Sequence, residues 1–288
     1  MRRIRRIMEK KERRRAKMSR RMFFFDIDGT LIDITSQISV PTPATVESFK
    51  QLHAHGDYVI LATGRAKAFI PPEVFALGFD GFILSNGGYV AFQDTVIENS
   101  VFNREQMGKL ESYAERAEAQ LMFIEQERAY IKNAQAPCIQ EFIRVFEFTD
   151  ETLRTGWELK NCRPTMGNLV FENAESVDVF KELAADEFDV YSFRDKMLYA
   201  DVTPKGVSKG RGVNLLIEKL KIPRRHTYAF GDGMNDIQML QNVEHGFAMG
   251  CAKERVKKMA RFTTGTCEND GIFNALVLCG VIESVQNK

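Results

Sequence analysis

Acidic residues that follow apolar stretches are the part of this sequence best suited to chemistry. The stretch FFFDIDGTLID, residues 23–33, runs from three phenylalanines into Asp26 and Asp28, and then into Gly29. In an extended backbone, side chains two residues apart point the same way, so the two carboxylates are expected side by side. Neighbouring like charges are costly unless a cation lies between them. The pattern therefore predicts a positive partner for this pair.

A second apolar stretch, FGDGMND, places Asp232 at its end and Asp236 four positions later. The carboxyl ends of parallel strands lie on one edge of a sheet, and ligands bind in the crevice beyond it. The four acids can therefore converge there, although a single acid at a strand end is more simply a turn or a helix cap. Oxygen ligands select a hard cation. We expect a Mg²⁺ site formed by Asp26, Asp28, Asp232 and Asp236.

Three further segments of the chain could bind an anion at the same edge. In ATGR, the Thr63 hydroxyl and the Gly64 amide can donate hydrogen bonds, and SNGG offers Asn86 and accessible glycine backbone. Lys209, at a predicted helix start, could neutralise both a phosphate and a nucleophile. Each signal is weak alone, because T-G and N-G turns and solvated lysines are common. Their combination with the acids indicates phosphate chemistry.

Short apolar runs alternate with helical stretches and would position these residues. TPATVESFKQLHAHG is a predicted helix that Thr42 caps and Gly56 ends. Near-continuous apolar strands separated by helices indicate a parallel sheet covered on both faces, an α/β Rossmann-like core. The predicted core strands are MFFFDI, YVILAT, FILSN, TYAFGD and GFAMG.

The middle of the chain has a different pattern, typical of an inserted α+β unit. It begins with the predicted hairpin YVAFQDTVIENSVF and continues through further short strands and two helices. We expect a core formed by residues 22–88 and 203–288, with an inserted cap at 89–202.

Charge is distributed unevenly along the 288 residues, whose net charge is +1. Residues 1–21 contain twelve Lys/Arg and two Glu, a charge of +10, and the remaining 267 residues hold 28 basic and 37 acidic groups, a balance of −9. The segment is interpreted as a solvated, disordered or helical extension, as an arm for nucleic acid or an anionic surface, or as the product of an upstream start codon. Its removal is expected to leave folding and catalysis intact.

Composition argues against a membrane protein and against a disulfide framework. No window approaches the roughly 18 apolar residues of a membrane span. Five scattered cysteines without C-x-x-C favour buried thiols in a reducing cytoplasm over disulfides or a zinc site.

DIDGT, ATGR, SKG and GDGMND, in this order, resemble the four sequence motifs of the haloacid-dehalogenase (HAD) phosphatase superfamily. The insertion, the SNGG turn and PKGVSKG also resemble its Cof-type branch of sugar-phosphate phosphatases. The resemblance extends from Met22 to about Ile282. It implies Mg²⁺-dependent hydrolysis of small phosphate monoesters, sugar phosphates first among them, with the cap selecting the leaving group.

The resemblance also implies a role for each motif residue. Asp26 would be the nucleophile that forms an aspartyl-phosphate, and Asp28 would protonate the leaving alcohol and then deprotonate water. The Asp26 carboxylate, the Asp28 carbonyl and Asp232 would hold Mg²⁺, with Asp236 ligating it or orienting its waters. The residues that would bind the phosphoryl group are Thr63, Gly64, Asn86, Asn235 and Lys209, which would also bridge to Asp26.

Alternative functions stay open at this point. A phosphomutase of the same superfamily would carry the same motifs, and a non-catalytic protein recruited to nucleic acid by residues 1–21 is a further alternative. Flavin mononucleotide and pyridoxal phosphate are possible substrates by resemblance. The cap residues that could set specificity are Tyr130, Lys132, Arg144, Trp157, Arg163, Asn168, Tyr191 and Arg194.

Overall fold

The computed structural model describes residues 20–33, 36–156, 158, 161–194 and 197–284. Within this part of the chain the strands form one eight-stranded sheet and one six-stranded sheet. Residues 1–19, to which most of the basic extension belongs, and the cap candidate Trp157 lie outside the described residues.

The strands, in chain order, are β1 (Met22–Phe25), β2 (Tyr58–Ala62), β3 (Gly81–Leu84), β4 (Tyr89–Phe92), β5 (Thr95–Asn99), β6 (Gln120–Ile124), β7 (Ala129–Ile131), β8 (Leu153–Arg154), β9 (Met166–Val170), β10 (Phe188–Phe193), β11 (Tyr199–Pro204), β12 (Thr227–Gly231), β13 (His245–Ala248) and β14 (Phe262–Thr263). The α-helices are α1 (Pro43–His55), α2 (Pro72–Phe75), α3 (Arg104–Arg116), α4 (Pro137–Val145), α5 (Ala174–Ala184), α6 (Lys209–Leu220), α7 (Ile237–Asn242), α8 (Glu254–Met259) and α9 (Gly271–Leu278).

The larger sheet has the order β14-β13-β12-β1-β2-β3-β4-β5. From β14 to β3 all neighbours are parallel, and β4 and β5 add an antiparallel edge. The central strand β1 lies between β12 and β2, with Phe25 opposite both Phe230 and Leu61. The predicted α/β core with a parallel sheet is confirmed.

Strand β1 shows why helices cover both faces of this sheet. Successive side chains of a strand point to opposite faces, and all four side chains of β1 are fully buried. Phe23 and Phe25 pack in one apolar cluster with residues of α1 and α9. Met22 and Phe24 pack in a second cluster with residues of α6, α7 and α8. A strand buried on both sides has no polar positions, which explains the uninterrupted apolar run.

Helix α1 has the ends that the sequence predicts. The Thr42 hydroxyl accepts a hydrogen bond from the Thr45 amide at 3.2 Å. Gly56 adopts a left-handed conformation with φ of 76° and ends the helix. Phe49 and Leu52 face the core and are buried, so the capping and amphipathic signals agree.

The hairpin β4–β5 differs from the expected division of the chain. The sequence analysis places it in the 89–202 insertion, but β4 pairs with β3 and extends the larger sheet to Asn99. The smaller sheet, in the order β10-β11-β9-β6-β7-β8, spans Gln120 to Pro204. Alternating residues identify a hairpin but not the strand with which it pairs. We therefore propose a cap, hereafter "the cap", between Asn99 and Pro204.

Arg20 and Arg21 also differ from the expectation for residues 1–21, because both lie against the folded core. The Arg21 side chain binds the Asp57 carboxylate at 2.5 and 3.1 Å, and Asp57 is 5% exposed at its side chain. The Tyr58 amide donates to the Arg21 carbonyl at 2.9 Å, and Arg20 stacks over the Tyr58 ring. Arg20 and Arg21 are thus part of the described core.

All five cysteines are free thiols, but the expected burial holds only for Cys162 and Cys267, because Cys138 is half-buried and Cys251 and Cys279 are exposed. Among the described residues, no helix has the length and apolar character that a membrane crossing requires.

Candidate active site

The carboxyl ends of β1 and β12 bring two of the predicted acids together. Asp26 directly follows β1, and its amide donates to the Phe230 carbonyl at 3.1 Å. Asp232 directly follows β12. Because these two strands are parallel neighbours, both side chains emerge at the same edge, as the parallel-sheet rule predicts.

Lys209 reaches the same point from the first turn of α6. Its backbone is fixed by Ser208, whose hydroxyl caps the helix by accepting from the Arg211 amide. The Lys209 side chain is fully buried, and its Nζ lies 2.7 Å from Asp26 Oδ1 and 2.7 Å from Asp236 Oδ1. A fully buried ammonium requires such partners, so this lysine is no solvated surface charge.

Three carboxylates form a compact acidic cluster, here called the acid cluster: Asp26, Asp232 and Asp236 offer oxygens within 4.8 Å of one another. Burial and the Asp236 carboxylate raise the pKa of Asp26 to about 7, against the lowering effect of Lys209. Burial and the Asp26 and Asp236 charges raise the pKa of Asp232 well above its ordinary value. Burial alone would lower the pKa of Lys209, but the two carboxylates outweigh it and raise that pKa. With all three carboxylates ionised, the cluster would carry more negative charge than Lys209 balances.

The loop after β12 holds Asp236 rigidly. Its Oδ2 accepts from the amides of Asp232 at 3.0 Å and Gly233 at 2.9 Å. Across the site, a Cβ added to Gly29 would lie 2.3 Å from Asp232 Oδ2, and Gly29 has φ of 78°. Glycine is thus required at position 29 for the DIDGT backbone to approach Asp232 this closely.

The Asp28 carboxylate lies outside the acid cluster, which corrects the expectation that four carboxylates converge, although its charge still contributes to the raised pKa values of Asp26 and Asp232. The strand ends at Phe25 and the backbone bends at Ile27, so the two-residue alternation no longer applies. The Asp28 side chain is 49% exposed and accepts two hydrogen bonds from the Arg65 guanidinium, at 2.7 and 2.9 Å. Its cation partner is therefore Arg65.

Thr63 and Gly64 follow β2, as predicted, and form the neighbouring wall of the site. Thr63 is buried, and its hydroxyl accepts from the Arg65 amide at 3.1 Å. Gly64 lies close to two other polar groups: an added Cβ would be 2.9 Å from Asp201 Oδ2 and 3.2 Å from Asn86 Nδ2. The structure thus places Thr63 and Gly64 near Asn86.

Asn86 and Asn235 meet directly. Asn86 is fully buried in a left-handed conformation with φ of 52°. Its Oδ1 accepts from Asn235 Nδ2 at 2.9 Å, and its Nδ2 donates to Asp201 Oδ2 at 2.8 Å. Both ends of the Asn86 amide are therefore occupied by protein groups. This geometry favours an action of Asn86 through Asn235 over direct contact with a phosphate.

The cap residues that were predicted to set substrate specificity lie in different environments. Arg144 and Arg194 form ion pairs with the cap acids Glu141 and Asp178 at exposed or half-buried positions. Tyr130, Lys132 and Arg163 also contact cap acids, Glu125 and Glu111. Asn168 is buried and donates to Asp201, and burial raises the pKa of Tyr191 to about 12.

Sequence reasoning missed Arg65 and Asp201. The sequence does contain a signal for Arg65, because it is the last residue of the ATGR motif and directly follows Thr63 and Gly64. Asp201 has a weaker signal, a single acid within the apolar run of β11. Its contact with Asn86 depends on how the two sheets are placed, which no local pattern reveals.

Comparison with known proteins shows a similarity that extends over most of the chain. Residues 23–276 match the family of haloacid dehalogenase-like hydrolases. The candidate phosphatase YkrA of Bacillus subtilis is 31% identical over 275 residues, covering 92% of this chain and 100% of its own. A hypothetical protein of Geobacillus kaustophilus is 33% identical, with a TM-score of 0.78, over 91% of this chain and 100% of its own. A sugar phosphatase of HAD subclass IIB is 29% identical, with a TM-score of 0.79 and the same coverage.

Proposed function

This chain belongs to the haloacid dehalogenase-like hydrolase family and is a phosphatase acting on phosphate monoesters, and we propose that it hydrolyses small sugar phosphates with Mg²⁺ through an aspartyl-phosphate. The observation that carries the proposal is the contact of buried Asp26 with Lys209 at 2.7 Å, inside the acid cluster. A lysine in this position orients a carboxylate and offers positive charge to an incoming phosphoryl group.

Asp26 is the proposed nucleophile. One of its oxygens attacks phosphorus, and the bond from phosphorus to the ester oxygen breaks. Water then attacks the aspartyl-phosphate, the bond to Asp26 breaks, and inorganic phosphate leaves. The Lys209 contact supports this role, because it holds Asp26 Oδ1 in one direction.

Asp28 is the proposed acid and base. It gives its proton to the leaving alcohol and later takes a proton from the attacking water, so the protons balance over the cycle. The half-exposed position of its carboxylate, outside the acid cluster, supports this role. Arg65 fixes its direction with two hydrogen bonds and also donates to the Phe69 carbonyl at 2.9 Å.

The acid cluster fits a divalent cation. Three carboxylates face one ammonium, and among the described residues no second Lys or Arg forms an ion pair with them. An all-oxygen donor set suits a hard cation such as Mg²⁺. Asp26, Asp232 and Asp236 would hold it, with the Asp28 carbonyl. When bound, the ion would neutralise charge on the phosphoryl oxygens.

Thr63, Gly64 and Asn235 are the proposed phosphoryl-binding groups, with Lys209. The Thr63 hydroxyl and the Gly64 amide lie at the end of β2, next to the strand that carries Asp26. Asn235 is 8% exposed and is held by Asn86. Such fixed donors stabilise a transferring phosphoryl group by position and charge.

Release of inorganic phosphate from p-nitrophenyl phosphate and hexose phosphates, with Mg²⁺ and with EDTA, tests the proposal. We expect turnover that EDTA abolishes and that Asp26→Asn removes at unchanged fold. Asp94→Asn, at an exposed hairpin turn, is the matched control and should retain full activity. An Asp26→Asn variant within about tenfold of the parent would mean another nucleophile. Sugar isomerisation without phosphate release would favour a phosphomutase.

A further inference from the structure

Asp201 is a buried acid that the proposed chemistry does not use. It lies on β11 of the cap sheet and is 6% exposed. Its Oδ1 accepts from Asn168 Nδ2 at 2.7 Å, and its Oδ2 accepts from Asn86 Nδ2 at 2.8 Å. Both donors are neutral amides, and among the described residues Lys209 acts on Asp201 only through its charge and without a hydrogen bond. A buried carboxyl without a paired cation is costly for folding, so its presence calls for another explanation.

The contact with Asp201 determines how the Asn86 amide is oriented. Both Asp201 oxygens accept hydrogen bonds in this structure, and the ionised form can only accept, so Asn86 turns its NH₂ group towards Asp201. Its oxygen then faces the opposite way, where it accepts from Asn235 Nδ2 at 2.9 Å. If the Asn86 amide were reversed, its NH₂ group would face the NH₂ group of Asn235, and two donors would meet without an acceptor. The cap acid thus sets the orientation of an amide in the core.

The same carboxylate also lies against the backbone that follows β2. A Cβ added to Gly64 would come within 2.9 Å of Asp201 Oδ2. Asp201 on the cap, Asn86 after β3 and Asn235 after β12 therefore form one continuous chain of contacts beside Gly64. Gly64 and Asn235, at the end of this chain of contacts that lies in the core, are two of the proposed phosphoryl-binding residues.

We propose that Asp201 is a positioning residue that acts through Asn86 to orient Asn235. The cap thereby helps to form the proposed phosphoryl-binding site. This inference rests on the proposed phosphatase function. In this role the cap, through Asp201, supplies the acceptor that fixes the direction of two core amides. Loss of Asp201 should weaken the binding of the phosphoryl group itself, whichever alcohol is attached to it.

The test replaces Asp201 by Asn, which has nearly the same shape but a donor in place of one acceptor. We expect kcat/KM to fall by about 10- to 100-fold for every ester tested. The inhibition constant of inorganic phosphate should rise by a similar factor, while the Mg²⁺ concentration for half-maximal activity should not change. Asp186→Asn, at an exposed turn of the cap, is the control and should leave these constants unchanged.

A double-mutant cycle separates positioning from general structural damage. If Asp201 acts through Asn86, Asp201→Asn should lower activity by less than about twofold when Asn86 is already alanine. Full additivity of the two losses would overturn the inference. Asp201→Ser is measured in parallel in case Asp201→Asn does not fold, and it should raise the inhibition constant of phosphate in the same direction.

The two proposals fail in different ways. If the unmodified protein releases no phosphate, the proposed function fails. If it is active but Asp201→Asn and Asp201→Ser keep phosphate inhibition and kcat/KM within about twofold of the parent, the positioning role is wrong while the phosphatase function stands.

Discussion

Lys209→Met removes the ammonium from the acid cluster and should strongly destabilise the metal-free protein. Lys209 is fully buried, and its two partner oxygens, on Asp26 and Asp236, are both at 2.7 Å with side-chain exposures of 8% and 0%. Removing one partner of a buried ion pair costs about 3–5 kcal/mol. Because a single ammonium pairs with both acids, we expect the free energy of unfolding to fall by this amount once and not twice. Methionine fills a similar volume, so little of the loss should come from packing.

The loss should depend on pH in a defined direction. Burial and Asp236 already raise the pKa of Asp26 to about 7, and without Lys209 that pKa rises further. Below it, Asp26 takes up a proton and the unbalanced charge is relieved, so the variant should lose less stability at pH 5.5 than at pH 8.

Urea unfolding in EDTA at these two pH values measures the effect. Lys67→Met is the control, because the pair of Lys67 with Glu127 is exposed on both sides and should contribute less than about 1 kcal/mol. The assignment of Lys209 as the cation that balances Asp26 and Asp236 would be refuted by either of two results. The free energy of unfolding of Lys209→Met could fall by less than about 1 kcal/mol at pH 8, or its loss could be as large at pH 5.5 as at pH 8.

Three further predictions concern the fold. A chain beginning at Met22 should lose about 3 kcal/mol relative to one beginning at Arg20, because Asp57 stays buried without Arg21; equal urea midpoints would contradict this. Gly87→Ala should cost more than about 2 kcal/mol, since φ is 97° and the new Cβ would lie 2.2 Å from the Ser208 carbonyl oxygen. Gly56→Ala, where no atom lies within 4 Å of the added Cβ, should cost only about 1 kcal/mol, and thermal melts of the two variants measure the difference. Burial raises the pKa of Asp201 from 3.8 to about 7, so between these two pH values the folded protein binds a proton that the unfolded protein has lost. The parent should therefore lose stability relative to Asp201→Asn as pH rises from 4 to 7, by up to about 4 kcal/mol. A pH-independent difference between the two unfolding curves would show that Asp201 has no raised pKa.

Features that depend on local backbone chemistry were accessible from the sequence. The helix from Pro43 to His55 carries its own start and stop signals, and both are confirmed. The meeting of Asp26 with Asp232 was also predictable, because parallel neighbouring strands end at one edge. In each case a general rule of geometry applies without knowledge of the rest of the molecule.

Features that depend on tertiary placement were not accessible. The separation of Asp28 from the acid cluster follows from where the strand ends, at Phe25, and strand ends are poorly defined by pattern alone. The hairpin at Tyr89–Asn99 was recognised, but its pairing with β3 depends on contacts outside its own sequence. Asp201 is a single acid in an apolar strand, and its partner Asn86 is remote in the chain.

The electrostatics of the site explain why these acids conflict with the requirements of folding. Among the described residues, Asp26, Asp232 and Asp236 share one buried ammonium, and both hydrogen bonds to Asp201 come from amides. Replacing such groups by apolar residues of similar volume is often neutral or stabilising. A sequence that folds for stability alone would therefore not retain them together at one sheet edge. The proposed cation at the acid cluster and the proposed orienting contacts of Asp201 would both need the charges that folding disfavours, which would account for the presence of these acids together.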